Sequence, residues 1–263
     1  PRIVTSFSDS PDGKYLIVTT MLRPFSFIVP ANRFPQKVEL LDIDGRFIRL
    51  LADIPLTDAL PQGLGATRTG ARSFTWRADA PATLYWVEAL DGGDPAVEAE
   101  YRDQIFVLDA PFTGNPTPSF KLQMRYSGIS WGRGDFALIN ESWRRDRIAR
   151  VHVFNPDDHS KGLSLMMEVN MEDRYNEPGN IQTTLNQYGR SVLHFDRRGR
   201  KLLLFGNGAS PEGNRPFVDE YDIRTGKTDR LWRSEAPYFE NPLRVLDMER
   251  GLIITTRQSV DQR

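Results

Sequence analysis

The chain has 263 residues, 39% of them hydrophobic and 11% aromatic, enough to pack one large all-β domain or two average ones. Its 34 Lys and Arg stand against 35 Asp and Glu, a net charge of -1, which leaves no electrostatic footprint for nucleic acid or an anionic membrane. With no cysteine, disulfides, thiolate catalysis and Cys-based zinc sites are excluded, and no apolar run approaches the roughly 18 residues of a membrane helix. Composition assigns no compartment; the missing cysteines permit an oxidising one, periplasmic or secreted. The chain opens on Pro1 without a basic-then-apolar leader and reads as a piece of something longer.

Taken in chain order, one pattern recurs: an apolar strand, a tight polar turn and a second apolar strand. It is written as Phe7–Val18 (with Ser10-Pro-Asp-Gly-Lys14 at the turn), Phe74–Val87, Ile129–Ile139 and Leu193–Phe205, with a fifth copy at Leu243–Ile254. A second strand pair follows the first: Lys37–Leu51 turns at Asp44-Gly45, and Val218–Trp232 turns at Thr225-Gly226, where glycine supplies the positive φ of a tight hairpin. Asp103–Asp109 and Arg150–Asn155 are the corresponding strands of the middle units.

Two consecutive hairpins make a four-stranded antiparallel meander, one propeller blade. The openings at 7, 74, 129, 193 and about 243 give a period of about 50–65 residues, longer than a WD-type blade because the connections are long. A β-sandwich is the alternative, but a sandwich has no reason to repeat its first hairpin. The expectation is an all-β chain, a β-propeller segment of about four to five four-stranded antiparallel blades, with units 1–70, 71–126, 127–190, 191–240 and a partial 241–263.

Few motifs suggest chemistry. Gly128-Ile-Ser-Trp-Gly132 matches the nucleophile elbow of serine hydrolases, yet Ser130 falls in the first strand of a repeat copy, with a second strand and no helix behind it. His152, His159 and His194 are scattered without metal-ligand spacing, so no metal or other cofactor is expected, and packed or edge imidazoles are the default. Gly206–Gly213 lacks the Lys-Ser/Thr step of a phosphate loop. Trp76, Trp86, Trp131 and Trp232 recur at matching strand positions, as expected of packing between blades. The cluster Arg144-Arg145-Asp146-Arg147 is the candidate binding feature: its guanidiniums could hold a substrate carboxylate, or form a solvated turn with Asp146 as internal counterion.

Ser10–Lys14 with the strand–Asp–x–x–Gly hairpin resembles the propeller of prolyl oligopeptidase-type serine peptidases (family S9). Arg23–Pro30, Arg33–Val38, Ser73–Pro81 running into Tyr85–Asp94, Glu141-Ser-Trp143, Gly208–Gly213 and Pro216-Phe217 are similar to its glutamyl endopeptidase branch. The resemblance implies a ring of seven or eight blades, of which this chain writes part, capping a C-terminal α/β-hydrolase domain that carries the Ser–Asp–His triad. No triad residue carries over, so the segment is expected to be non-catalytic, gating or positioning peptide substrates for that domain. A negatively charged residue preceding the cut would need a basic partner, for which Arg144, Arg145 and Arg147 are the candidates. A stand-alone protein-binding propeller is the alternative function.

Overall fold

The computed structural model describes residues 3–259, which form 20 strands and two single-turn 3-10 helices, Ala31–Arg33 and His159–Lys161. Among the described residues no helix is long and apolar enough to cross a membrane.

The first turn explains why the motif recurs. Strands β1 (Ile3–Asp9) and β2 (Tyr15–Met21) meet across Ser10–Lys14, where Ser10 Oγ donates to Asp12 Oδ1 (2.7 Å) and accepts from Tyr15 N (3.1 Å). Gly13 takes φ +69, open to glycine at little cost. Between β3 (Gln36–Asp42) and β4 (Phe47–Ile54) the Asp42 carboxylate accepts from Arg46 N, and Gly45 sits at φ +82. Asp196 with Gly199 and Asp222 with Gly226 repeat the device. Each Asp satisfies the backbone donors that a two-strand reversal leaves unpaired.

Sheet one orders β1-β2-β3-β4. Sheet two is β5 (Arg72–Trp76), β6 (Thr83–Ala89), β7 (Asp103–Asp109) and β8 (Thr117–Leu122); sheet three is β9 (Arg125–Arg133), β10 (Phe136–Trp143), β11 (Ile148–Phe154) and β12 (Ser164–Asn170). All three are antiparallel meanders in chain order, the four-stranded propeller blade the sequence pattern predicts.

The fourth sheet differs from the expected opening hairpin Leu193–Phe205. Its first strand is β13 (Asn180–Ile181), paired with β16 (Lys201–Gly206), then β17 (Phe217–Asp222) and β18 (Thr228–Arg233). Of the expected pairing only the Phe195–Leu202 bridge remains. The intervening β14 (Thr183–Leu185) and β15 (Ser191–Leu193) pair with each other as an inserted hairpin. Asn186 creates it: its side-chain oxygen accepts from Tyr188 N and Arg190 N, and Gly189 takes φ +68, a turn that competes with a continuous strand. A last pair, β19 (Phe239–Asp247) and β20 (Leu252–Gln258), stands as a two-stranded sheet.

Successive sheets pack face to face, and strand alternation distributes the side chains. Leu84 and Trp86 of β6 face sheet one with Leu40, Trp76 and Phe112, while Tyr85 and Val87 face sheet three with Ile105, Trp131 and Ile139. Leu138, between Ala137 and Ile139 on β10, points the other way, onto Leu202, Leu204 and Tyr221. These central strands are buried on both faces, which is why they read as unbroken apolar runs. Among the described residues no sheet covers the outer faces of the first and last strand pairs, where Phe7 is 74% exposed and Leu246 60%.

The turns within the strand pairs gather on one side of the arc, as the Ile43 N to Lys14 O bond (2.9 Å) and the Asp157 N to Gly134 O bond (3.1 Å) show; we call this the hairpin face. The connections between β2 and β3, β6 and β7, β10 and β11, and from sheet to sheet lie on the opposite, loop face.

Candidate functional site

The loop face at the junction of sheets two and three holds a buried charge network. Arg72 and Arg125 each open the first strand of their blade, and Asp103 opens β7. Asp103 and Asp91 are fully buried. Arg125 spans both: Nη1 donates to Asp103 (3.0 Å), Nη2 to Asp91 (2.8 Å), Nε to the Gly65 carbonyl (2.7 Å) and Nη1 again to the Arg102 carbonyl (2.9 Å). Arg102 donates to Asp91 (2.8 Å) with its guanidinium stacked over Trp143 at 3.9 Å, and Arg72 pairs with Asp103. Burial alone would raise the Asp91 carboxyl; the Arg125 and Arg102 guanidiniums and the Gly93 N–H hold it below the ordinary aspartate value. Three arginines against two aspartates leave one cation in excess.

A cavity of about 390 Å³ opens above this network, lined by Arg72, Arg125, Tyr126, Ser142, Arg144 and the Gly63–Thr67 segment. The Nε of Arg72 is buried and has no hydrogen-bond partner, and burial pushes the Tyr126 hydroxyl up to about 12. Gly65, at φ +91, lies so close to Trp143 that a Cβ would meet the ring at 2.8 Å. The cavity therefore combines a cationic floor with a rigid wall, an arrangement suited to an anion.

The three candidate arginines lie on the β10–β11 turn and part ways. Arg144 lines the cavity and has no carboxylate within ion-pair distance among the described residues. Arg145 is exposed on the turn, and Arg147, at φ +60, pairs with Glu172 at 2.9 Å. Asp146 N donates to the Trp143 carbonyl, so Asp146 builds the turn through its backbone. Arg72 and Arg125 were not expected here; the signal was available, since both occupy the first position of equivalent strands ahead of a shared Trp (Trp76, Trp131).

Two of the three histidines have side-chain partners. His152 Nε2 lies 2.9 Å from Glu141 Oε1, across the β10–β11 pair, and Glu141 Oε2 accepts from Met124 N (2.8 Å). Burial opposes ionisation of Glu141, yet His152, Met124 N–H and Arg150 hold its carboxyl below the usual range. His159 Nε2 lies 3.0 Å from the Tyr85 hydroxyl, linking sheet three to sheet two. The described residues contain no group of three or more His, Asp or Glu able to hold a metal ion. Ser130 sits in mid-strand opposite Leu138, and β9 turns directly into β10, so the elbow's strand–turn–helix geometry is lacking.

Fold and site together define a segment of a β-propeller whose loop face carries a cationic cavity. No protein-family model matches the chain. It is 40% identical to "Probable glutamyl endopeptidase, chloroplastic" of Oryza sativa subsp. japonica, over 98% of this chain and 29% of that protein. The protein of the same name from Arabidopsis thaliana is 39% identical over 98% of this chain and 28% of its own length. The chain is thus similar along nearly its whole length to proteins named glutamyl endopeptidase, and spans under a third of the length of these two relatives. Among solved structures, the β-propeller domain of the Trilobed protease from Pyrococcus furiosus superposes on 97% of this chain and 68% of its own, with a TM-score of 0.47 and 10% identity. A likeness that distant adds nothing to the strand pairing itself.

Proposed function

We propose that this segment is the non-catalytic propeller portion of a serine peptidase, which gates or positions peptide substrates for an α/β-hydrolase domain elsewhere in the longer protein. The observation that carries the reading is the match along 98% of the chain to proteins named glutamyl endopeptidase, of which it represents 28–29%. The lack of a nucleophile elbow at Ser130 agrees with a scaffold role.

Within this reading the cavity on the loop face meets a substrate carboxylate. Arg144 is the foremost of the three candidates, since Arg147 is engaged by Glu172 and Arg145 points to solvent on the turn. A charge-assisted bond to a carboxylate is worth about 1.5–3 kcal/mol, so Arg144→Ala in the full-length protein lowers kcat/KM for a Glu-containing peptide about 10- to 100-fold. Arg145→Ala and Arg147→Ala have smaller effects, and a Gln-containing peptide responds little to any of them. An unchanged Glu-to-Gln preference in Arg144→Ala removes the cavity from the mechanism. Absence of any peptidase activity in the full-length protein favours the stand-alone binding propeller instead.

A further inference from the structure

The first strands of sheets one to three run unbroken, but that of sheet four stops at Ile181 and resumes at Phe195. Gln182 N still donates to Leu203 of β16, and His194 N returns to the Gln182 carbonyl, so the hairpin leaves and re-enters the sheet at one point. In a propeller the first strands surround the ring axis, and an insertion in one of them projects into the axial opening.

The hairpin's two ends are held differently. At its root Val192 packs in the core between sheets two and three, and Leu193 in that between sheets three and four. At its tip the attachment is polar. Asn186 Nδ2 donates to the Ala78 carbonyl in the turn of sheet two (2.7 Å). Arg190 Nη2 crosses to sheet one, donating to Asp9 Oδ2 (2.7 Å), Asp9 O (2.9 Å) and Ser10 O (3.1 Å). Arg190 and Asp9 are 32% and 50% exposed, so salt weakens their attraction, whereas the buried root resists it. Between root and tip Leu185 is 70% exposed.

We propose that residues 182–194 form a latch across the axial opening near the hairpin face, hinged at Val192–Leu193 and closed by Arg190 on Asp9 and Ser10. Closed, it joins sheet four to sheet one, which are not neighbours in the arc; released at Arg190, it swings about its root and frees the opening for an extended chain. The latch stands on this chain's own geometry, and only the identity of what passes it depends on the peptidase reading.

Amide hydrogen exchange on the 263-residue chain tests it. Arg190→Ala speeds exchange of the 184–190 amides about tenfold or more while leaving β10 and β16 at their original rates. Raising salt from about 0.05 to about 0.5 M speeds the same amides in the unmodified chain and has little further effect in Arg190→Ala. Asp9→Asn, which keeps both carbonyl acceptors, falls between. Unchanged tip exchange in Arg190→Ala overturns the latch. So does a loss of protection shared equally by β10 and β16, or failure of that variant to fold, because the hairpin would then be part of the core. None of these readings depends on peptide cleavage, so this proposal and the functional one fall separately.

Discussion

Arg125→Ala is the most demanding test of how the middle blades are joined. The side chain is 9% exposed and contacts two carboxylates that are fully buried, together with the Gly65 and Arg102 carbonyls. Removing one partner of a buried charge group costs about 3–5 kcal/mol, because the remaining charges stay desolvated without compensation. The lower end applies, since Asp91 retains Arg102 and Gly93 N–H, and Asp103 retains Arg72 and Tyr126 N–H. With a urea dependence of about 3 kcal/mol per molar, a loss of about 3 kcal/mol moves the midpoint down by about 1 M. Urea unfolding followed by tryptophan fluorescence reads this, since Trp143 lies under Arg102. Arg125→Lys falls between, keeping the charge but not the planar fork that reaches four acceptors. A loss below about 1 kcal/mol for Arg125→Ala would refute the argument: the two aspartates would then be adequately held by Arg72 and Arg102 alone.

Two further outcomes follow from the same physics. Glu141 and Asp91 both have folded-state pKa values depressed below their unfolded values of about 4.3 and 3.9, so their stabilisation is complete above those values and is lost as pH falls through the folded ones. Their contribution to the melting temperature is therefore constant from pH 7 to about 5 and declines below about pH 4. His159 and His194, held below their ordinary value by burial, add a separate decline below about pH 6.5. Glu141→Gln lowers the melting temperature at pH 7 and makes the decline below about pH 4 shallower, and a parallel acid limb would contradict the assignment. Gly45→Ala and Gly93→Ala separate backbone strain from collision: both sit at positive φ, but Gly45 faces open space while a Cβ on Gly93 would run into the Thr67 carbonyl. The first costs about 1–2 kcal/mol and the second clearly more, so equal losses in thermal melts would count against the packing of the 63–67 segment on the 91–94 turn.

The blade pattern was legible because each turn carries its own chemistry. Ser10, Asp42, Asp196 and Asp222 bind backbone donors within five residues, and such local bonds are written in the sequence order itself. The same locality misleads at the fourth blade. Leu193–Phe205 has the right alternation, but Asn186 and Gly189 just upstream stabilise a rival hairpin that takes Ser191–Leu193 away from the sheet. The candidate site was legible only in part. Arg144 stood out as a member of a charged cluster, whereas Arg72, Asp91, Asp103 and Arg125 come together over separations of 12 to 53 residues and look like ordinary strand-end charges in one dimension. The pairing of His152 with Glu141 was not foreseen for a similar reason: it depends on a register between β10 and β11 that places them diagonally across the ladder.

On the hairpin face sheet one is tied to sheet two, and sheet two to sheet three, by polar links. Asp12 N reaches the Pro81 carbonyl, and Arg77 reaches both the Pro156 carbonyl and Asp157. With the apolar slabs between the sheets, these ties determine how far one blade is rotated from its neighbour. The connections on the opposite face differ widely in length, from the two residues 123–124 to the 55–71 segment, and those carrying Gly65, Asp91 and Arg102 also hold sheet two to sheet three through Arg125. At that junction the cavity and the joint between blades share the same residues. Loops on that side that stay clear of this network can be lengthened, shortened or exchanged without disturbing the joint, whereas a change in the 55–71 or 90–102 connection alters both the cavity and the way the two blades meet.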